Sequence, residues 1–238
     1  MKLIRLVLYV LLANFLFINS VYAATLTATP TKYATTMTKF ELCTSSTCTT
    51  TTVLGSNTAT FNIASASAGA DVGSWMSSFA LEVGTTYTHV RATIGTTFTV
   101  AGYITDDNTN EISQNYCVTV ASPSTASSHT SPAIQAGSNS TTTADMSWTV
   151  PNRLDADNGS FYGDLDASYT TNGITKTNGA STFTWIGALS SSYTPTATSA
   201  PKFTMSFDVT NKLGHAGDGS GNCGIYMLPP AVTISLTN

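Results

Sequence analysis

The segment Tyr87-Thr-His-Val-Arg-Ala-Thr-Ile94 alternates apolar and polar residues, which is the period of a β-strand with one buried face. The buried face comprises Val90, Ala92 and Ile94, and the outward face comprises Tyr87, His89, Arg91 and Thr93. Gly95-Thr96 follows, and Thr97 to Ile104 then alternates again. A two-residue turn that begins with glycine has the primed geometry that suits the twist of two strands. We therefore predict a β-hairpin from Tyr87 to Ile104.

The same period of two recurs through most of the chain, and helical spacing is rare after the first residues. The further apolar sets are Phe40 and Leu42; Phe61 and Ile63; Tyr116, Val118 and Val120; Met146, Trp148 and Val150; Phe183 and Trp185; Phe203, Met205, Phe207 and Val209; and Val232, Ile234 and Leu236. Short strands need a second sheet to bury their apolar faces. These sets predict an all-β protein, an antiparallel β-sandwich of the immunoglobulin-like or a similar type.

The first 23 residues have the three parts of a secretory signal peptide. Lys2 and Arg5 form the positive region, Leu6 to Ile18 is apolar, and Val21-Tyr-Ala23 supplies a cleavage site. The apolar run is shorter than the ~20 residues that cross a bilayer, and no later segment is apolar enough to do so. We therefore expect residues 1–23 to be removed and residues 24–238 to reach the periplasm, the cell surface or the exterior.

Few residues of this chain are charged. Only 9% are charged, and the sequence has thirteen acidic and nine basic residues. Two of the basic residues, Lys2 and Arg5, are removed with the signal peptide. Nucleic-acid binding needs clustered Lys and Arg, and here the basic residues are scattered, so we expect no nucleic-acid partner. Surfaces coated with hydroxyls and amides resist association poorly, so copies of the chain or cell-surface components are the expected partners.

Four cysteines, an even number, predict two disulfides in an exported protein. Three pairings are possible. The short loop Thr44-Ser-Ser-Thr47 favours Cys43 with Cys48, which leaves Cys117 with Cys223. A metal site or redox pair is the alternative, but the CxxxxC spacing is wider than the common CxxC.

Residues 122–144 are rich in Ser, Thr and Pro and contain almost no large apolar residue. This stretch is either a linker between two β units, 24–121 and 145–238, or a surface excursion of a single two-lobed unit. We favour the single unit, because a Cys117–Cys223 bridge would join the two halves covalently.

Carboxylates cluster in one place, where Asp155, Asp157 and Asp164 follow one another within ten positions. Calcium prefers several oxygen ligands from one loop, so these residues are candidate calcium ligands. The pattern departs from an EF-hand loop, because Gly159 comes one position early and no Glu closes it. A solvated turn opened by Asp, Asn and Gly explains the same residues, so we expect no metal and no cofactor.

Four aromatic residues in polar surroundings could stack on sugar rings; they are Trp75, Tyr162, Tyr169 and Tyr193. The three histidines are far apart, and no GxSxG motif is present. Glycines between His215 and Cys223 fit a turn between two strands beside a disulfide better than a nucleophile loop. We therefore expect no enzymatic activity.

Tyr33 to Cys43, Phe61-Asn-Ile63 and Val83 to Arg91 resemble the opening strands of small uncharacterised exported β-sandwich domains of bacteria. In those domains a strand ending in ELC or EVH precedes a hairpin with G-x-Y-T-x-V-R. The resemblance covers only the N-terminal part of the mature chain, and it implies a sandwich and a bacterial envelope location but no activity.

Two hypotheses on function remain. The first is a secreted or cell-surface structural or adhesive protein, such as a self-assembling fibre or coat subunit whose strand edges pair between copies. The alternative is an extracellular module that binds carbohydrate or depends on calcium.

Overall fold

The computed structural model describes residues 26–65, 80–105, 115–121, 133–152, 166–199, 201–217 and 222–237. This part of the chain is almost entirely β, which confirms the predicted fold class. In chain order the strands are β1 (Leu26–Ala28), β2 (Lys32–Cys43), β3 (Thr51–Gly55), β4 (Ala59–Asn62), β5 (Tyr87–Ala101), β6 (Tyr103–Thr105), β7 (Tyr116–Val118), β8 (Ala133–Ala136), β9 (Met146–Thr149), β10 (Ile174–Thr175), β11 (Thr182–Tyr193), β12 (Lys202–Asp208), β13 (Leu213–Gly217), β14 (Asn222–Met227) and β15 (Ala231–Thr237). A six-residue helix, α1 (Asp166–Thr171), lies between β9 and β10.

Strand β5 is one continuous strand of 15 residues, so the predicted hairpin with a turn at Gly95-Thr96 is wrong. Gly95 lacks the positive φ that a primed turn requires. Thr96 donates its backbone N–H to the carbonyl of Ser181 and accepts the N–H of Val150, at 2.9 and 2.8 Å. Because other segments of the chain satisfy these groups, the strand continues through the position of the expected turn.

The strands form antiparallel sheets of unequal size. The largest sheet has seven strands, in the order β10-β11-β5-β2-β3, with β4 also paired to β2 and β9 to β5. Strands β11 and β9 follow one another along the same side of β5: β11 pairs up to Gly95, and β9 pairs from Thr97 onward. A four-stranded sheet has the order β1-β13-β14-β8, and two ribbons are formed by β12–β15 and β6–β7.

The seven-stranded sheet forms one layer, and smaller sheets cover its apolar face. The four-stranded sheet covers one end and encloses a first core with it. Rings of Tyr33 and Trp148 lie edge-on to the Phe98 ring there, with centroids 5.4 and 6.2 Å from it. The buried residues of this first core are Tyr33, Ile63, Phe98, Val100, Ile104, Cys117, Met146, Trp148, Val150, Tyr169, Phe183, Leu213, Cys223, Ile225 and Met227.

The β12–β15 ribbon covers the other end of the seven-stranded sheet and encloses a second core. Phe40 of the sheet and Phe203 of the ribbon meet edge to face, with ring centroids 5.0 Å apart. The buried residues of this second core are Met37, Phe40, Leu42, Leu54, Tyr87, Val90, Ala92, Leu189, Tyr193, Phe203, Met205, Ile234 and Leu236. Two layers with apolar faces turned inward are the arrangement of a sandwich-like fold.

Both cores contain residues from before and after the Ser/Thr/Pro-rich stretch 122–144. Strand β8 lies within this stretch and pairs with β14. Ser138 exchanges two backbone hydrogen bonds with Tyr116, at 2.7 and 2.9 Å, and Ala144 donates to the carbonyl of Thr119 at 2.9 Å. The described part of 122–144 is therefore bonded to strands of both halves of the chain.

The predicted strand faces agree with the structure at most positions. Met146, Trp148 and Val150 are buried together, as their alternation predicted. Tyr87 was expected to face outward, and it is 1% exposed. The register between β5 and β11 shifts between Ala188 and Tyr193, next to the pair Tyr193–Tyr87, and both tyrosines lie in the second core.

Candidate functional site

Two disulfide bridges join the four cysteines in the pairing that the loop lengths favoured. Cys43 and Cys48 close a short loop after β2, with Cα atoms 4.9 Å apart. Cys117 and Cys223 join β7 to β14, with Cα atoms 6.0 Å apart. All four are buried. Such bridges persist in oxidising compartments, which agrees with export.

His215 lies beside the second bridge, in the interior of the protein. One ring nitrogen of His215 and the sulfur atoms of Cys117 and Cys223 lie within 4.8 Å of one another, and all three residues are buried. The form of cysteine that ligates a metal is the thiolate, and both sulfurs here are consumed by the disulfide. We therefore assign this cluster no metal. His215 lies on β13 and Cys223 on β14, so the segment between them connects two antiparallel strands, as predicted.

Glu41 is a buried carboxylate on β2, with a side chain 2% exposed. It accepts hydrogen bonds from Nε of Arg91 at 2.7 Å and from the Thr51 hydroxyl at 3.1 Å, and Nζ of Lys39 lies 2.8 Å from it. Burial alone would raise the pKa of Glu41, but the hydrogen bonds and positive charges of Arg91 and Lys39 outweigh burial and lower the pKa to about 2. Nη1 of Arg91 also donates to the Cys48 carbonyl at 3.3 Å. The cluster fastens the disulfide loop to the sheet.

Lys176 and Asn152 form a second buried polar contact, in the chain segments that follow β10 and β9. They are 4% and 5% exposed, and Nζ of Lys176 donates to Oδ1 of Asn152 at 2.9 Å. The backbone N–H of Gly179 donates to the same oxygen at 3.1 Å. Tyr169 of α1 donates to the Pro151 carbonyl at 2.6 Å, which holds the segment that carries Asn152. No local pattern marked this contact, because its two residues lie 24 positions apart.

The candidate calcium ligands Asp155, Asp157 and Asp164 lie outside the described residues, and the expectation of a metal-free turn there stays a prediction. The same holds for the aromatic candidates Trp75 and Tyr162.

The other two aromatic candidates are not available to a sugar, and their expected exposure is wrong. Tyr169 is 6% exposed and belongs to the first core, and Tyr193 is 7% exposed and belongs to the second. Their polar neighbours in sequence suggested exposure, but a strand or helix buries one face whatever the other face carries. Tyr169 and Tyr193 thus contribute packing and not a stacking platform.

Strands β3 and β4 pair with successive parts of β2 and form one edge of the seven-stranded sheet. From Thr51 to Asn62 the sequence contains no charged residue and no proline. Val53, in the middle of β3, is 45% exposed. Natural edge strands commonly carry a lysine or a proline, which prevents them from pairing with a strand of another chain. Within the described residues, β2 is the only strand paired with β3 or β4, and this edge lacks such guards.

Comparison with known proteins found no family model that matches the chain, and no curated protein or solved structure that matches it. The resemblance of Tyr33 to Arg91 to exported bacterial β domains therefore stays a prediction. Among the described residues, no helix has the length and apolar character that a membrane crossing requires.

Proposed function

We propose that this chain is an exported structural or adhesive β protein that associates with further copies of itself. The observation that carries the proposal is the uncharged, proline-free edge formed by β3 and β4, from Thr51 to Asn62. The low charge of the whole chain and the two disulfides support it, because both suit a durable extracellular assembly. The signal peptide expected at residues 1–23 delivers the chain to the periplasm, the cell surface or the exterior.

Association proceeds by strand addition at this edge. Backbone N–H and C=O groups of β3 from Thr51 to Val53 pair with a strand of the second copy, so main-chain hydrogen bonds supply most of the affinity. The exposed Val53 side chain becomes covered in the contact, which adds apolar burial. Charge repulsion opposes this contact weakly, because no charged residue lies between Thr51 and Asn62.

The experiment compares two exposed valines in the mature, oxidised protein. Val53→Lys places a charge on the proposed edge, whereas Val83→Lys places the same charge in a turn outside the strands, at a side chain 61% exposed. Sedimentation velocity over a concentration series, with negative-stain microscopy of the highest concentration, measures assembly. We expect the wild type and Val83→Lys to associate and Val53→Lys to stay monomeric, because the lysine would have to lose water in the contact.

Two results would contradict the proposal. One is a wild-type protein that is monomeric at every concentration, which removes self-association altogether. The other is equal association of the wild type and Val53→Lys, which places the contact away from β3. Binding to isolated cell-surface material by a strictly monomeric protein would point to adhesion to other molecules in place of assembly.

A further inference from the structure

The contact between Lys176 and Asn152 brings a primary amine against a carboxamide inside the protein. Nζ of Lys176 lies 2.9 Å from Oδ1 of Asn152, and therefore close to Cγ, the carbon to which that oxygen is bonded. Both residues are more than nine-tenths buried. An amine and an amide held at this separation have the two partners of an acyl transfer in one site.

We propose that Lys176 and Asn152 form an intramolecular isopeptide bond. The lone pair of the neutral Nζ attacks Cγ of Asn152, so that the Nζ–Cγ bond forms and the Cγ–Nδ2 bond breaks. A proton passes from Nζ to the departing nitrogen, which leaves as ammonia. The product is a secondary amide between the two side chains, and no oxidant, reductant or other reactant is consumed.

Three features of the site favour this reaction. Fixed proximity replaces a bimolecular encounter, and such preorganisation is among the largest rate effects in enzymes. The N–H of Gly179, 3.1 Å from Oδ1, donates to the oxygen on which negative charge develops during the attack. Burial of both residues keeps out the water that would compete with the amine for Cγ of Asn152.

Tyr169 is a positioning residue in this scheme. Its hydroxyl donates to the Pro151 carbonyl at 2.6 Å, directly before Asn152 in the chain, so α1 fixes the backbone that presents the carboxamide. Gly179 has a φ of 75°, a conformation that glycine adopts at little cost, and its N–H is thereby turned toward Oδ1.

The bond would lie at the junction where β9 and β11 meet end to end along β5. Asn152 follows β9 and Lys176 precedes β11, and these two strands follow one another along β5 with Thr96 between them. The new amide would join the segment leaving β9 to the segment approaching β11, 24 residues further along the chain. A covalent link at this junction does not depend on thiol chemistry, so it would survive reduction of both disulfides. This inference does not rest on self-association.

The test is the mass of the purified, mature wild-type protein after reduction, alkylation and full denaturation. We expect essentially all molecules to be lighter than the sequence mass by one ammonia. Proteolysis should yield one branched peptide that joins Asn152 to Lys176. Lys176→Arg and Asn152→Ala should restore the full sequence mass, whereas Lys202→Arg, at an exposed lysine on β12, should behave as the wild type.

The wild-type measurement decides the matter even where a variant fails to fold. The full sequence mass in the wild type would overturn the proposal. Loss of ammonia followed by cleavage of the chain with hydroxylamine would also overturn it, because cyclisation at an Asn–Gly step releases ammonia but forms a succinimide that hydroxylamine cleaves. Loss of ammonia that resists hydroxylamine, with the branched peptide found, establishes the bond.

Discussion

Removal of the long disulfide should destabilise the protein far more than removal of the short one. Cys117 and Cys223 are 106 positions apart, and Cys43 and Cys48 are five apart. In the chain-entropy model the long bridge contributes about 4.8 kcal/mol and the short one about 2 kcal/mol, so the two losses should differ by about 3 kcal/mol. All four cysteines are buried, so Cys→Ala substitution carries a similar packing cost at both bridges, and the comparison isolates loop length.

The measurement is urea unfolding of the wild type, of Cys117→Ala/Cys223→Ala and of Cys43→Ala/Cys48→Ala, followed by tryptophan fluorescence and circular dichroism. Coincident transitions from the two probes justify a two-state free energy of unfolding. The midpoint should fall much further for the variant that lacks the long bridge. Equal losses, or a larger loss without the short bridge, would refute the argument from loop length.

Two further predictions concern stability. Gly173 has a φ of 69°, and a Cβ there would lie 2.2 Å from the Ile186 carbonyl oxygen, whereas Gly84, with a φ of 81°, has open space around it. By thermal or urea unfolding, Gly84→Ala should cost about 1 kcal/mol from backbone conformation alone, and Gly173→Ala about 3 kcal/mol or more; equal costs would contradict the predicted clash. The folded-state pKa of Glu41 lies at about 2, below the ordinary value of 4.5, so its charge contributes stability that is present above pH 4.5 and lost as the pH falls toward 2. Unfolding from pH 6 to 2 should show this loss, on the order of 2–3 kcal/mol after allowance for the exposure of Lys39, and Glu41→Gln should remove that part of the pH dependence.

The all-β fold was predictable because alternation is a local property of the sequence. Met146, Trp148 and Val150 show it, and they are buried together. The error at Gly95-Thr96 has a physical cause, since a glycine-first pair is a turn signal only when no other segment satisfies its backbone groups. Ser181 and Val150 do so here, and neither is visible in the local sequence. Apart from Thr96, the apolar residues keep the same face from Val90 to Val100, and this shared face was the better guide.

The buried polar contacts were beyond prediction from one sequence. Lys176 contacts Asn152, and Glu41 contacts Arg91, although the partners lie 24 and 50 positions apart in the sequence. A lone lysine or glutamate in a polar sequence is normally on the surface, so nothing distinguished these from solvated charges. The two disulfides were easier to predict from the sequence, because four cysteines allow only three pairings and one pair was close in sequence.

Strand β5 runs through both cores, with Val90 and Ala92 in the second and Phe98 and Val100 in the first. Its antiparallel hydrogen bonds to β2, β9 and β11 lie across the strand direction. A pull along β5 would therefore load these bonds in shear, all at the same time, whereas a pull across it would open them one after another. The molecule is thus mechanically anisotropic, and its resistant axis is the direction of this one strand.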